Sequence, residues 1–380
     1  MLPLKIAIVS EFSISSYPGG GEKRYYEMGK RLAALGHAVT WICMAGPEGG
    51  QGKDLDGINV LHLGTPVQKP PFRSALNFLS FNSSLIKHLR TRRYDVVDAQ
   101  SYSPMLGAYL GTVFSATKLI ATIHDATSRG HSHEDFFQYR WLANILEPML
   151  YRLPFKQIVT VSHVSANTLV ERYGVKRDRV CVIHNGVSLE DIDKVPDQPK
   201  RYDYIFVGRL VPSKHLEDFV ALCVRTKRTG AIVGDGPLRD EVQKMCLKHK
   251  AVTFLGCKDS SAEVIAAMKQ AKVLVLPSTR EGFGLVLAEA GAAGLPVIAY
   301  ESGGVVEVVD HGKNGFLVPP RDMATLCKLA KKALCEPLCS DLGKAGRLKV
   351  ERRFTWKRAT AELEHIYTTR GELVAGDIGE

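Results

Sequence analysis

Leu4-Lys5-Ile6-Ala7-Ile8-Val9 is an apolar run of strand length, Pro18-Gly19-Gly20-Gly21 follows it, and Glu22–Leu35 then carries Met28, Leu32 and Leu35 at helical spacing. Gly36 suits the position just past a helix end, and Ala38–Met44 is the next apolar run. Strand, glycine turn, helix, strand is the repeating unit of a parallel sheet with helical crossovers. Further strands are expected at Val60–Leu63, Val96–Ala99, Leu119–Ile123, Ile158–Ser162 and Val180–Ile183, with helices in the gaps. The alternation then restarts, with strands expected at Tyr204–Val207, Ala231–Val233, Val252–Leu255, Val273–Leu276, Pro296–Ala299 and Gly315–Val318. Between the two series, Asn185–Arg201 is polar and contains Pro196 and Pro199, a linker composition. The fold expected is α/β: two doubly wound parallel-sheet, Rossmann-like domains, residues 1–185 and 186–355, facing an interdomain cleft. A ligand then belongs at the carboxyl ends of the strands.

The chain has 380 residues, 45% hydrophobic and 24% charged, the balance of a globular protein with room for two cores. No apolar run approaches the ~18 residues that span a bilayer. The start runs straight into the first strand, without the basic leader and small-residue cleavage site of a signal peptide. Eight cysteines are scattered with no Cys-x-x-Cys; Cys335 and Cys339 suit two neighbours on a helix better than half a zinc site. The expected compartment is therefore the reducing cytoplasm. Net charge is +10, split as +6 over residues 1–190 (21 basic, 15 acidic) and +4 over the rest. That modest excess favours acidic partners, but no nucleic-acid-binding module is present.

Four segments carry chemistry. Pro18-Gly19-Gly20-Gly21 lets a ligand reach the backbone at a helix amino end, which favours an anion over a merely flexible turn. It is neither a Walker loop nor Gly-x-Gly-x-x-Gly, so ATP hydrolysis and nicotinamide binding lose their main support. Gly208-Arg209-Leu210-Val211-Pro212-Ser213-Lys214 places a guanidinium and an ammonium after the first strand of the second series, suited to gripping a diphosphate. Ser278–Glu289 puts Gly282, Phe283 and Gly284 ahead of a helix beginning near Leu285, with Glu281 outside it and Glu289 inside. Eight helical residues rise about 12 Å, so the two carboxylates should sit at different heights, one for each end of an elongated ligand. Thr122-Ile123-His124-Asp125 ends an apolar strand, so His124 either faces the cleft or is a hydrogen-bonded structural histidine.

Other signals read as bland. Asp191-Ile192-Asp193 lies in the linker and reads as solvated charge, not a metal motif. His131-Ser132-His133 has no third ligand nearby, so no metal is expected there. Lys87, Arg90, Arg92 and Arg93 follow the apolar Phe72, Leu76, Phe78, Leu79 and Phe81; this is either a membrane-surface patch or a solvated helix with a buried apolar face.

With these residues in hand, the chain resembles the retaining glycosyltransferases of family 4, which have the GT-B fold. The resemblance extends over nearly the whole length. Its strongest part is the Glu-x7-Glu motif, Glu281 to Glu289 with Gly282-Phe283-Gly284 inside. In the expected order stand Pro18–Gly21, Gly36-His37, Thr122–Asp125, Val161-Ser162, Asn185-Gly186-Val187, Gly208–Lys214 and Gly234-Asp235-Gly236-Pro237, then Gly303-Gly304 with Glu307, and Gly312–Val318. The resemblance implies that Arg209 and Lys214 bind the donor diphosphate with Gly20 near it, and that Glu289 holds the ribose hydroxyls. It implies that Glu281 and the Phe283-Gly284-Leu285 backbone hold the donor sugar, with His124 beside the anomeric carbon. Asn185-Gly186 would mark the crossing between domains, and a final helix within residues 356–380 would pack back onto the first. One departure is the short basic stretch Arg225–Gly230, where the family usually has a longer helix and turn.

The function expected is transfer of a hexose from a nucleoside-diphosphate sugar to a hydroxyl of a saccharide or lipid-linked acceptor, with retention and without a metal or other cofactor. GDP-mannose, UDP-glucose and UDP-N-acetylglucosamine fit the motifs alike. A nucleotide-sugar epimerase of the same fold and a non-catalytic subunit are the rivals. The location expected is cytoplasmic, with peripheral contact to a membrane through the basic amino-terminal domain.

Overall fold

The structure, a computed structural model, describes residues 2–16, 19–46, 51–68, 74–126 and 147–369. Its chain divides into two compact units, Met1–His184 with Trp356–Glu380, and Asn185–Thr355.

In the first unit an eight-stranded sheet runs in the order β3-β4-β2-β1-β5-β6-β7-β8. The strands are β1 (Lys5–Val9), β2 (Ala38–Met44), β3 (Gln51–Leu55), β4 (Ile58–Leu63), β5 (Val96–Gln100), β6 (Lys118–Ile123), β7 (Gln157–Thr160) and β8 (Val180–Val182). All pairs are parallel except β3–β4. Ile6, Ala7, Ile8 and Val9 are buried because β1 is a central strand covered on both faces. The helix Gly20–Ala34 returns the chain to β2, and its buried face includes Tyr25, Met28 and Leu32. Leu35, expected on that face, is its C-cap and is exposed. The helix Trp356–Thr368 packs against Gly20–Ala34. It is pinned by Tyr367, which donates to buried Asp98 at 2.6 Å, and by His37 Nε2 at 3.1 Å from Glu364.

In the second unit a six-stranded parallel sheet has the order β11-β10-β9-β12-β13-β14. These strands are β9 (Tyr202–Val207), β10 (Gly230–Val233), β11 (Val252–Gly256), β12 (Ala271–Leu276), β13 (Val297–Tyr300) and β14 (Gly315–Val318). The sequence order reverses between β9 and β12, neighbours in the sheet, which is the switch point where such sheets bind ligands.

The structure also corrects the sequence reading at Asn185–Arg201, at Asp193 and at Cys335. Asn185–Arg201 is no loose linker: it contains the helix Leu189–Asp193, buries Val187, Ile192 and Val195, and returns Val187 N–H to Phe354 at 2.9 Å. Asp193 is not merely solvated, because Arg347 grips both its oxygens at 2.7 and 2.8 Å and holds its carboxyl below the usual range. Cys335 precedes the helix Leu338–Arg353 that contains Cys339, so the two do not share a helix. All eight cysteines are free thiols. Pro18, Phe72, His131, His133 and the end 371–380 lie outside the described residues.

Candidate active site

The second unit builds its site from the loops after β9 and β12. Thr279 N–H donates to the Ser213 carbonyl at 3.0 Å, and Ser278 Oγ donates to the same oxygen at 3.3 Å. That seam brings the Lys214 ammonium into contact with the Glu281 carboxylate, both side chains being only 14% and 13% exposed. His215, left-handed at φ 45°, has Nε2 3.0 Å from Thr279 Oγ1. Arg321 braces the far side, donating to Glu217 at 2.7 Å and Asp218 at 3.0 Å; Tyr300 donates to Asp218 at 2.6 Å. Arg209 is exposed on the same β9 loop.

Glycines let the Glu281 loop fold this way. A Cβ at Gly303 would overlap the Glu281 carbonyl oxygen, and one at Gly304 would overlap that of Gly282. Gly304 N–H instead donates to the Glu281 carbonyl at 2.9 Å. Gly284 is left-handed at φ 86° and caps the helix Leu285–Ala292 without a side-chain acceptor. The first N–H groups of that helix therefore offer themselves, with its dipole, to an anion or a sugar oxygen. The Phe283 ring is buried edge-on against Phe354 with centroids 5.3 Å apart, so what Phe283 offers a ligand is its backbone. Glu289 is half-buried on the second turn. The helix begins only at Leu285, so four helical steps separate Leu285 from Glu289, a rise of about 6 Å and not the 12 Å expected for eight.

The first unit gathers the other expected residues. Gly20 opens the helix Gly20–Ala34, whose N-cap Gly19 likewise brings no side-chain acceptor; a Cβ at Gly20 would meet nothing within 4 Å. A Cβ at Gly21 would lie 3.7 Å from His124 Nε2, so the glycine turn sits beside the histidine. His124 follows β6, and its Nε2 meets the Tyr25 hydroxyl. Beneath them Asp98 accepts from Thr122 at 2.9 Å, and buried Arg24 donates to the Ile183 carbonyl at 3.0 Å. Burial and then the Arg24 charge push the His124 imidazole down to about 3, while burial pushes the Tyr25 hydroxyl well up. The phenol thus keeps its proton and can donate to Nε2, leaving the imidazole proton on Nδ1.

A prediction follows from that neutral ring. The His124 resonances should stay flat between about pH 5 and 8 in an NMR titration, and no limb of the pH–rate profile should belong to it. In the unfolded chain the same imidazole takes a proton near its ordinary 6.5. Folding stability should therefore fall as pH drops from about 6.5 towards 3, because only the unfolded state binds that proton. A titration midpoint near the ordinary value would contradict this.

Sequence reasoning missed Tyr25, Arg24 and Asp98. A signal existed for Arg24, which stands at i−4 from Met28 and i−8 from Leu32, a cation in line with the apolar stripe. Asp98 within the buried run of β5 was a second, since a carboxylate there needs partners.

Residues 188–349 match the model of the glycosyl transferases group 1, and residues 18–191 match that of glycosyltransferase family 4. Glycogen synthase of Mycobacterium tuberculosis is 26% identical over 390 residues, covering 93% of this chain and 92% of that protein. Among solved structures, sucrose-phosphate synthase of Thermosynechococcus elongatus superposes with a TM-score of 0.84 at 22% identity, covering 95% of this chain and 98% of that one. HepE of Anabaena, crystallised with UDP-glucose, gives 0.75 at 19% identity over 96% and 99%. Two α/β units of this kind, each on a mostly parallel sheet, make up the GT-B fold. The chain belongs to glycosyltransferase family 4.

Proposed function

We propose that the chain is a retaining, metal-independent hexosyltransferase that moves a sugar from a nucleoside diphosphate to an acceptor hydroxyl. The observation that carries this reading is the contact of Lys214 with Glu281 on two hydrogen-bonded loops beside the glycine-headed helix Leu285–Ala292. As the sugar–phosphate bond breaks, negative charge grows on the diphosphate. Arg209, Lys214 and the free helix N–H groups stabilise it without a metal ion. Glu281 and the Phe283-Gly284-Leu285 backbone hold the sugar hydroxyls, Glu289 holds the ribose, and Gly20 leaves room for the phosphates. His124, held neutral, can hydrogen-bond the sugar beside the anomeric carbon without adding charge there. Glu281 already faces a cation, which suits a sugar clamp better than a covalent nucleophile, so attack comes from the face the phosphate leaves.

The test is a thermal-shift panel of UDP-glucose, UDP-N-acetylglucosamine and GDP-mannose, since a bound donor stabilises by about 2.7 kcal/mol at a hundred times its Kd. The donor that raises Tm is then supplied with saccharide and lipid-linked acceptors, with and without EDTA. An α-linked product from an α-linked donor, unaffected by EDTA, is expected. Inversion, a trapped glycosyl adduct, EDTA-sensitive transfer, or isomerisation of the donor without acceptor would each overturn part of this reading.

A further inference from the structure

Two neighbouring helices of the first unit present an apolar surface next to a cluster of cations. On the helix Ala75–Thr91, the residues Phe81, Leu85 and Leu89 are buried in the core. Outward stand Leu76 and Leu79, 68% and 63% exposed, and further along Lys87 and Arg90. At 100° per residue these four fall within a stripe of about 80°. Arg92 and Arg93 follow, both exposed. The helix Met105–Thr112 packs alongside and shows Leu106 and Leu110 outward; just past its end Phe114 is 93% exposed. Arg90 donates to the Leu110 carbonyl at 3.3 Å, which fastens the basic end of one helix to the apolar face of the other. Residues 57–94 and 101–124 contain no Asp or Glu, so no carboxylate of these stretches offsets the four cations.

We propose that this face docks the protein on an anionic lipid surface. A phenyl ring standing in water at the end of an apolar helix face has little reason to be there unless another phase receives it. The adjacent cations supply the attraction to lipid phosphates, and an apolar contact combined with a basic patch gives the two signals that stable attachment to a membrane takes. Among the described residues no helix is long and apolar enough to cross a membrane, so attachment here is to the surface. The proposal goes beyond the reaction and names where its acceptor side would meet a bilayer.

The full chain is sedimented with vesicles of phosphatidylcholine alone and of phosphatidylcholine mixed with phosphatidylglycerol. Retention by the anionic vesicles only, weakened by salt, is expected. Phe114→Ser should lower partitioning about tenfold. Arg92→Gln with Arg93→Gln should lower it about 25-fold, at roughly fivefold per charge. The thermal shift with the donor should be unchanged in both variants, which separates failure of docking from failure of the transferase reading. Equal retention by both vesicle types, or none by either, overturns the proposal. So does anionic retention that Phe114→Ser leaves untouched, because that would be the unspecific adhesion of a basic protein.

Discussion

Lys214→Ala and Glu281→Ala should each lower kcat/KM for glycosyl transfer by about 10²–10³-fold while the far- and near-ultraviolet circular dichroism stays that of the parent. The ammonium and the carboxylate touch and both side chains are mostly buried, so each is the other's counter-charge. In the reaction proposed above, a diphosphate then competes for the ammonium and a sugar hydroxyl for the carboxylate. The exchange lowers the cost of admitting a highly charged substrate, since neither group waits unpaired. Removing Lys214 deletes the proposed stabiliser of the leaving group and strands Glu281 with a mostly buried charge. Removing Glu281 frees the ammonium to swing away from the phosphates. Both losses strike the same arrangement, so the double variant should be hardly worse than either single one. Steady-state kinetics on the three variants decide it. Near-normal turnover in both single variants would remove these residues from the reaction, and strict additivity would show that they act apart.

The strands were legible where apolar runs of strand length were bounded by turn residues, because both faces of a parallel sheet are covered and its strands read as continuous hydrophobic segments. β3 escaped for the opposite reason. Gln51-Gly52-Lys53-Asp54-Leu55 is a polar edge strand whose only cue is the Asp56-Gly57 that follows. Those two residues are left-handed at φ 52° and 84°, the turn that returns the chain antiparallel into β4. The candidate residues could be named from the sequence, but the contacts that support them could not. Lys214 and Glu281 stand 67 positions apart in sequence, and nothing local says that they touch. The seam that joins them runs through the Ser213 carbonyl, and backbone groups leave no mark in sequence. Tyr25 was hidden the same way: an aromatic residue on a buried helix face reads as core until a histidine from β6 is found at its hydroxyl. Composition misled at Asn185–Arg201, where two prolines and several charges suggested a tether. The apolar Val187, Ile192 and Val195 anchor that stretch to the second unit.

Gly303→Ala should cost the second unit about 2–4 kcal/mol, lowering its Tm by roughly 5–15 °C, and should cost transfer more than its stability loss explains. Gly303 is left-handed at φ 51°, where a Cβ is already disfavoured, and that Cβ would also overlap the carbonyl oxygen of Glu281. An overlap with backbone cannot be relieved by turning a side chain, so one of the two loops must move. One of those loops carries Glu281, the carboxylate proposed to bind the sugar, and a displacement of about 1 Å at a positioned group can cost 10²-fold in rate. Gly294→Ala is the matched control. Gly294 is also left-handed, at φ 75°, but its Cβ would find open space. It should show only the backbone penalty of about 1 kcal/mol and keep its transfer rate. Calorimetry and kinetics on the two variants separate conformational strain from loop displacement. If Gly303→Ala behaves like Gly294→Ala in both, the close approach of residue 303 to the Glu281 carbonyl does not set the position of the carboxylate.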